Sequence, residues 1–343
     1  MKASVQDRYG APADVLELQE IPKPAVGDGE VLVRVHAAPL AGDDWHLLRG
    51  LPYIARIVTG LRRPKNRVPG LELAGRVEAT GKDVEAFRPG DEVFGWCSGS
   101  FAEFASVPEN QLALKPANLT MEEAAAVPIS AFTALQGLRD QAQIEPGQKV
   151  LVHGASGGVG TFAVQIAKSY GADVTGVCST AKMDMVRSIG ADDVVDYTHE
   201  NFADRGQRYD LILDIQGNPT LSDCRRALRP RGTLVIVGGS GGPWLMGVDR
   251  WIRALVLSLV VRQKLRIRIH TDSHDDLVVM KELIEAGKVA PVVDRTYPLS
   301  EVPDAVRYVQ EGHARGKVVI TVVSATSQPL IGELGQGRRV DTR

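Results

Sequence analysis

The chain has 343 residues, 44% hydrophobic and 24% charged, a length that suits two domains better than one simple core. Its 40 basic and 42 acidic residues leave a formal net charge of −2, which argues against a general binder of nucleic acid or acidic surfaces. The longest strongly apolar run, Ala254 to Val261, is far short of the roughly 20 residues of a membrane span, and Met1 to Arg8 lacks the apolar core of a secretory signal. Cys97, Cys178 and Cys224 lie far apart with no C-x-x-C pair, so neither a disulfide framework nor a cysteine-rich metal site is expected, and the expected location is cytoplasmic.

The first ~115 residues read as short strands broken by Gly and Pro turns. Val31 to Val35 and Ala74 to Glu78 are rich in strand formers, Pro89-Gly90-Asp91 is a turn into Glu92-Val93-Phe94, and Phe101 to Val107 is a further strand. This is the pattern of an antiparallel, barrel-like domain. From Lys149 the rhythm changes to strands alternating with helices. Lys149 to Val152 is a strand, and Val159, Phe162, Ala163, Ile166, Ala167 and Tyr170 share one helical face. Further strands are expected at Val174 to Val177, Val194-Val195, Asp210 to Asp214 and Thr233 to Val237, with helices at Ala181 to Ser188 and Leu221 to Leu228. Such alternation implies a doubly wound parallel sheet. Beyond Gln263 the pattern mixes: a strand at Leu265 to Ile269, helices at Asp275 to Ala286 and Glu301 to Gln310, and a last strand at Lys317 to Val323. Residues 325–343 show little periodicity and are expected to be a disordered tail.

The strongest chemical signal is Gly154-Ala155-Ser156-Gly157-Gly158-Val159-Gly160, directly after a strand and opening a helix. Small residues there let backbone approach a pyrophosphate, whose charge is met by N–H groups and the helix dipole. An NAD-dependent protein usually carries Asp or Glu at the end of the second strand. Here that end reads Val177-Cys178-Ser179-Thr180-Ala181-Lys182, hydroxyls and a lysine, which suit the 2′-phosphate of NADPH.

Several stretches, taken together, resemble the medium-chain dehydrogenase/reductase superfamily over residues 1 to ~324. They are Pro69 to Gly75, Phe101 to Phe104, Ala126 to Ala134, the glycine loop and Arg315 to Val319. The resemblance implies an α/β protein: a GroES-like antiparallel β-barrel catalytic domain over 1–122 and 263–324, and a Rossmann domain with a doubly wound parallel sheet over 123–262. It implies cofactor contacts from Ala155, Ser156, Gly157, Gly158, Val159 and Gly160, with Thr133, Ser179, Gly217, Gly238, Gly239 and Lys317. In the zinc-independent quinone oxidoreductase branch, which is similar to zeta-crystallin, Lys182 and Tyr197 fall where a lysine and a tyrosine contact the 2′-phosphate. Asp44, Trp45, Tyr53 and Trp96 are the candidate substrate pocket, with packing an equal reading for the tryptophans.

The departures from the zinc-dependent pattern are informative. Ala41, Leu71 and Ile129 occupy the positions of the catalytic zinc ligands, and the four-cysteine structural lobe is absent from the sequence, so no metal is expected. Glu72 survives without a histidine before it, and a structural hydrogen-bonding role is expected of it. His270 and His274 stand at i, i+4, but Thr271-Asp272-Ser273 reads as a loop and helix cap. The implied activity is hydride transfer from NADPH to a quinone or other conjugated carbonyl. The alternatives are an enoyl (C=C) reductase and a low-turnover NADPH-binding sensor or adaptor. No residue stands out as the proton donor, although Tyr53 is a candidate. Basic clusters at Arg62 to Arg67 and at Arg262, Lys264, Arg266 and Arg268 read as solvated charge rather than a nucleic-acid site. The apolar stretch Trp244 to Val261 reads as a pocket wall, a subunit interface or a core helix, and family members are commonly homodimers.

Overall fold

Two large sheets divide the chain, after a small antiparallel pair of Lys2–Gln6 with Leu16–Glu20. The computed structural model describes residues 1–238, 247–268 and 271–322. The expected tail, Gly239 to Gly242 and His270 lie outside the described residues.

The first sheet is mainly antiparallel and has seven strands. Its main path runs Val293–Pro298, Lys317–Thr321, Glu30–Pro39, Glu72–Thr80, Glu92–Trp96 and Leu112–Leu114, with Phe104–Pro108 paired to Glu30–Pro39. The inward positions carry branched apolar residues: Val31, Val33, Val35, Val93, Val107 and Leu112 are all buried in one cluster. Period-2 burial of this kind lets one face of each strand fill a closed interior. Gly75 is required where two strands approach, because a Cβ there would sit 2.2 Å from the Arg34 carbonyl oxygen. The strand Lys317–Thr321 completes this sheet by pairing with Glu30–Pro39, so segments on both sides of the parallel sheet's sequence build it.

The second sheet has six strands in the order Asp193–Asp196, Asp173–Cys178, Lys149–His153, Tyr209–Asp214, Leu228–Ile236 and Lys264–Ile267. Every pairing in it is parallel. The strand order reverses between Lys149–His153 and Tyr209–Asp214, so the crevice above their C-terminal ends is the ligand-binding position of such a sheet. The α/β class and the two-sheet architecture therefore stand as read. One boundary does not: the nucleotide domain was expected to close at residue 262, yet Lys264–Ile267 pairs in parallel with Leu228–Ile236. Lys264 and Arg266, expected to be solvated charge, are exposed because an edge strand shows one side to water, while Leu265 between them is buried.

One apolar cluster joins the two sheets. Ala37, Ala74 and Phe94 of the barrel share it with Phe132 of the helix Pro128–Gln136, Phe162 of the helix Gly158–Ser169, and Val150 and Val152 of the parallel sheet. Packing at interior density resists relative displacement, so this cluster fixes the cleft between the sheets. The segment expected to be a pocket wall, interface or core helix forms the helix Val248–Ser258, and it is not a core helix. Ala254 is buried, whereas Ile252, Leu255 and Val256 are more than half exposed.

Candidate active site

The glycine loop begins where Lys149–His153 ends. Gly154 has φ of +89°, a left-handed value that favours glycine, and its N–H and that of Ala155 both donate to the Val177 carbonyl. Gly160 packs the helix onto the turn: a Cβ there would lie 2.1 Å from the Gly154 carbonyl oxygen. Gly157 differs, since a Cβ on it would meet only that same oxygen, at 3.7 Å. The first bond of the helix runs from the Thr161 N–H to the Gly157 carbonyl. The N–H groups of Gly158, Val159 and Gly160 thus stand at the helix start without intrahelical acceptors. A helix N-terminus beside an open glycine is an anion cradle, and it fits a dinucleotide pyrophosphate.

The barrel supplies the floor of this cradle. The Gly316 N–H donates to the Ser156 carbonyl at 2.8 Å, placing the next residue, Lys317, under the loop. Lys317 is 3% exposed; its Nζ lies 2.9 Å from Glu72 Oε2 and donates to Ser130 Oγ at 3.2 Å. Its Cδ would stand 2.8 Å from a Cβ on Gly158. Glu72 is fully buried, and its other oxygen accepts from the Ile129 N–H at 2.8 Å. The structural role expected of Glu72 is thus visible in its partners. Thr133, buried one turn further along, donates to the Ile129 carbonyl.

The same residues bear on zinc. Ala41, Leu71 and Ile129 offer no side-chain lone pair, and both Glu72 oxygens are engaged. Burial, with Glu72 and then Asp44 adding charge repulsion, pushes the Cys97 thiol far above its usual range. Among the described residues no group of three or more His, Cys, Asp or Glu side chains gathers. At positions 41, 71 and 129 the side chains present no zinc donor.

The residues expected at the 2′-phosphate lie at the tips of Asp173–Cys178 and Asp193–Asp196. Tyr197 is exposed, and its N–H donates to the Cys178 carbonyl at 3.1 Å. Lys182 reaches across to the C-terminal segment, where its Nζ donates to the carbonyls of Gly312 and Ala314, both at 2.8 Å. Two of its three protons are used, which leaves one donor for a ligand. Desolvation lowers its pKa; Asp294 opposes that shift and the nearby Arg315 adds to it. Arg315, exposed beside Lys182, is a further cation, to which the sequence motif Arg315 to Val319 alone gives no role. Asp196 was also missed. Hydrogen bonds from the Thr180 hydroxyl, then from Thr198, outweigh desolvation and hold its carboxyl at about 2. It follows the strand Val194-Val195, and only the sheet register reveals that it faces Thr180 across the next strand's end.

Asp214 closes Tyr209–Asp214 and organises the crevice at the strand reversal. Its Oδ1 accepts from the Gly217 N–H at 3.0 Å, and its carbonyl accepts from the Val237 N–H at 2.9 Å. Its carboxylate is fully buried, 2.6 Å from Arg250 Nη2 and 3.2 Å from His153 Nδ1. Neither approach is aligned as a hydrogen bond: Arg250 meets the carboxylate as an ion pair, while its Nη2 donates to the Pro219 carbonyl at 3.0 Å. Gly238 is required beside it, because a Cβ would lie 1.8 Å from the Ile215 carbonyl oxygen. Gly217 and Gly238 are thus brought to one place by a residue the sequence reading passed over; Gly239 lies outside the described residues.

The four substrate-pocket candidates fall in different surroundings. Asp44 is buried, with Oδ2 accepting from the Ala41 N–H at 2.7 Å. Trp45 is half-buried against the barrel core with the Arg49 guanidinium over its ring. Trp96 is 8% exposed and meets Phe132 edge-to-face at 5.5 Å, so packing accounts for it. Tyr53 is exposed, with Arg56 4.8 Å above its ring.

Comparison with known proteins agrees with this geometry. Residues 27–117 match the alcohol dehydrogenase GroES-like domain family, and residues 189–320 match a family described as zinc-binding dehydrogenase. The chain is 34% identical to the bovine (Bos taurus) mitochondrial NAD(P)H oxidoreductase RTN4IP1, over 94% of this chain and 89% of that one. It is 35% identical to the chloroplastic NADPH-dependent alkenal/one oxidoreductase of Arabidopsis thaliana, over 93% of this chain and 79% of the relative. The quinone oxidoreductase structure from Coxiella burnetii superposes with a TM-score of 0.83 at 26% identity, covering 94% of this chain and 99% of that one. With its GroES-like barrel, parallel nucleotide sheet and glycine loop, the chain belongs to the medium-chain dehydrogenase/reductase superfamily. It is an oxidoreductase that uses a nicotinamide cofactor.

Proposed function

We propose that the chain transfers hydride from NADPH, without zinc, to a quinone or another conjugated carbonyl. The carrying observation is the Lys317–Glu72–Ile129 arrangement under the glycine loop, in place of a metal donor set. Without a Lewis acid to activate an alcohol, the acceptor must already be electrophilic. The cofactor supplies the hydride; the chain's residues orient it and exclude water. The N–H groups of Gly158, Val159 and Gly160 would receive the pyrophosphate, and the turns at Gly217 and Gly238 would lie against the nicotinamide half. Lys182, Arg315 and Tyr197 cluster on the 2′-phosphate side, which favours NADPH. The names of the Coxiella and Arabidopsis relatives support quinone and alkenal or enone acceptors respectively. The latter favours a second reading, reduction of a conjugated C=C bond at the same site. The sensor or adaptor reading has no residue in its support.

The exposed Ile252, Leu255 and Val256 beside the edge strand Lys264–Ile267 support a homodimer. Three buried free cysteines support a reducing compartment, which includes the cytoplasm. Among the described residues no helix is long and apolar enough to cross a membrane.

The test is oxidation of NADPH and of NADH by 1,4-benzoquinone, 9,10-phenanthrenequinone and a short enone, with a chelator present. Chelator-insensitive turnover preferring NADPH is expected, and the faster acceptor decides quinone against C=C reduction. Lys182→Ala should raise the KM for NADPH about tenfold and leave that for NADH unchanged. Equal use of both cofactors by the wild type, or loss of turnover to the chelator, refutes the reading.

A further inference from the structure

The segment following Tyr53, itself a substrate-pocket candidate, carries an unusual surface. Ile54, Ile57, Val58 and Leu61 are exposed at 59%, 68%, 72% and 71%. They sit on one short ordered protrusion. The Tyr9 hydroxyl donates to the Gly60 carbonyl at 2.7 Å, the Arg56 guanidinium donates to the carbonyls of Arg49 and Gly50, and the Lys65 N–H donates to the Thr59 carbonyl. Gly60 has φ of +125°, and a Cβ on it would meet the Arg63 carbonyl at 2.0 Å, so this tight turn depends on glycine. The protrusion is therefore built, and it presents four large aliphatic side chains to solvent.

The flanking charge is of one sign. From Arg49 to Val68 the sequence contains Arg49, Arg56, Arg62, Arg63, Lys65 and Arg67 and no acidic residue. Arg62, Arg63 and Lys65 are exposed and have no ion-pair partner among the described residues. Arg63, Lys65 and Arg67 line a shallow pocket whose single acid, Asp7, pairs with Arg67 at 2.5 Å. A chain whose net charge is −2 thus concentrates cations around an exposed apolar tip.

We propose that this protrusion docks the protein on an anionic phospholipid bilayer, with Ile54, Ile57, Val58 and Leu61 entering the headgroup–acyl boundary. Arg62, Arg63 and Lys65 meet the lipid phosphates. Charge complementarity selects this occupant: an apolar tip alone would suit many partners, but apolar side chains followed by cations without ion-pair partners among the described residues match the layered polarity of an anionic membrane surface. The docking is peripheral, and it does not depend on which acceptor the active site reduces.

The experiment is co-sedimentation of the full chain with vesicles of phosphatidylcholine alone and of phosphatidylcholine with about a third phosphatidylglycerol. Near-UV circular dichroism and mass by light scattering are recorded for each variant. Binding to the anionic vesicles, weakened by salt and absent from the neutral ones, is expected. Arg62→Gln/Arg63→Gln/Lys65→Gln should lower the partition coefficient about 100-fold, at roughly fivefold per charge. Ile57→Ser/Val58→Ser should lower it about tenfold with an unchanged spectrum. No binding to anionic vesicles, or equal binding by folded variants, overturns the proposal. So does a drop in particle mass in Ile57→Ser/Val58→Ser without vesicle binding, which would make the patch a contact between copies. Salt-sensitive binding of RNA in place of vesicles overturns it as well.

Discussion

Replacing Lys317 by Met removes the cation from a buried pair whose members are 3% and 0% exposed. Glu72 would keep the Ile129 N–H on one oxygen and lose both its charge partner and its 2.9 Å contact on the other. Breaking a buried pair by deleting one partner typically costs about 3–5 kcal/mol, because the remaining charge stays desolvated. Set against a total stability of roughly 5–15 kcal/mol, that loss should lower the urea midpoint substantially. The pair also ties the barrel strand Lys317–Thr321 and Glu72–Thr80 to Ser130 of the helix packed on the nucleotide sheet. The double variant Glu72→Met/Lys317→Met removes both charges at similar volume and should recover most of the stability, to within about 1–2 kcal/mol of the wild type. Urea unfolding of the four members of the cycle measures this. A Lys317→Met variant within about 0.5 kcal/mol of wild type, or a double variant as unstable as the sum of the singles, would refute the reasoning.

Three further outcomes follow from the glycine loop, Asp196 and the cysteines. Gly160→Ala forces a Cβ to within 2.1 Å of backbone and should fail to fold or melt far lower, whereas Gly157→Ala, with its nearest neighbour at 3.7 Å, should fold normally yet bind nicotinamide dinucleotide about tenfold more weakly by fluorescence titration. The Asp196 carboxyl is held at about 2, below its ordinary value of 3.8. Its contribution is therefore present above about pH 4 and lost as the pH falls toward 2, so the difference in urea midpoint between wild type and Asp196→Asn should shrink from pH 7 to pH 3. Cys178 and Cys224 are pushed up to about 11 and about 12, each mainly by burial, and Cys97 is raised further still. Ellman's reagent at pH 8 should find no fast-reacting thiol in the native protein and all three after denaturation; a fast native thiol would contradict the burial.

Much of this molecule is local in origin. The switch from short Gly-punctuated strands to alternating strands and helices at Lys149 is a change of hydrophobic period, and it sets the order of the two sheets along the chain. The glycine loop was equally legible, since its turn, its close backbone approach and its helix start involve neighbours within a few residues. What the sequence could not give was pairing between distant segments. Lys317 and Glu72 are 245 residues apart and meet only because the C-terminal strand returns to the barrel. Asp196 finds Thr180 through the register of neighbouring parallel strands, and Asp214 gathers Gly217, Val237 and Arg250 from three separate segments. Lys264–Ile267 joined the parallel sheet although its charges read as surface, because an edge strand tolerates polar side chains that a central one would exclude. Periodicity records which face of an element is buried; which element covers that face, and which buried charge answers another, is decided only when the chain closes on itself.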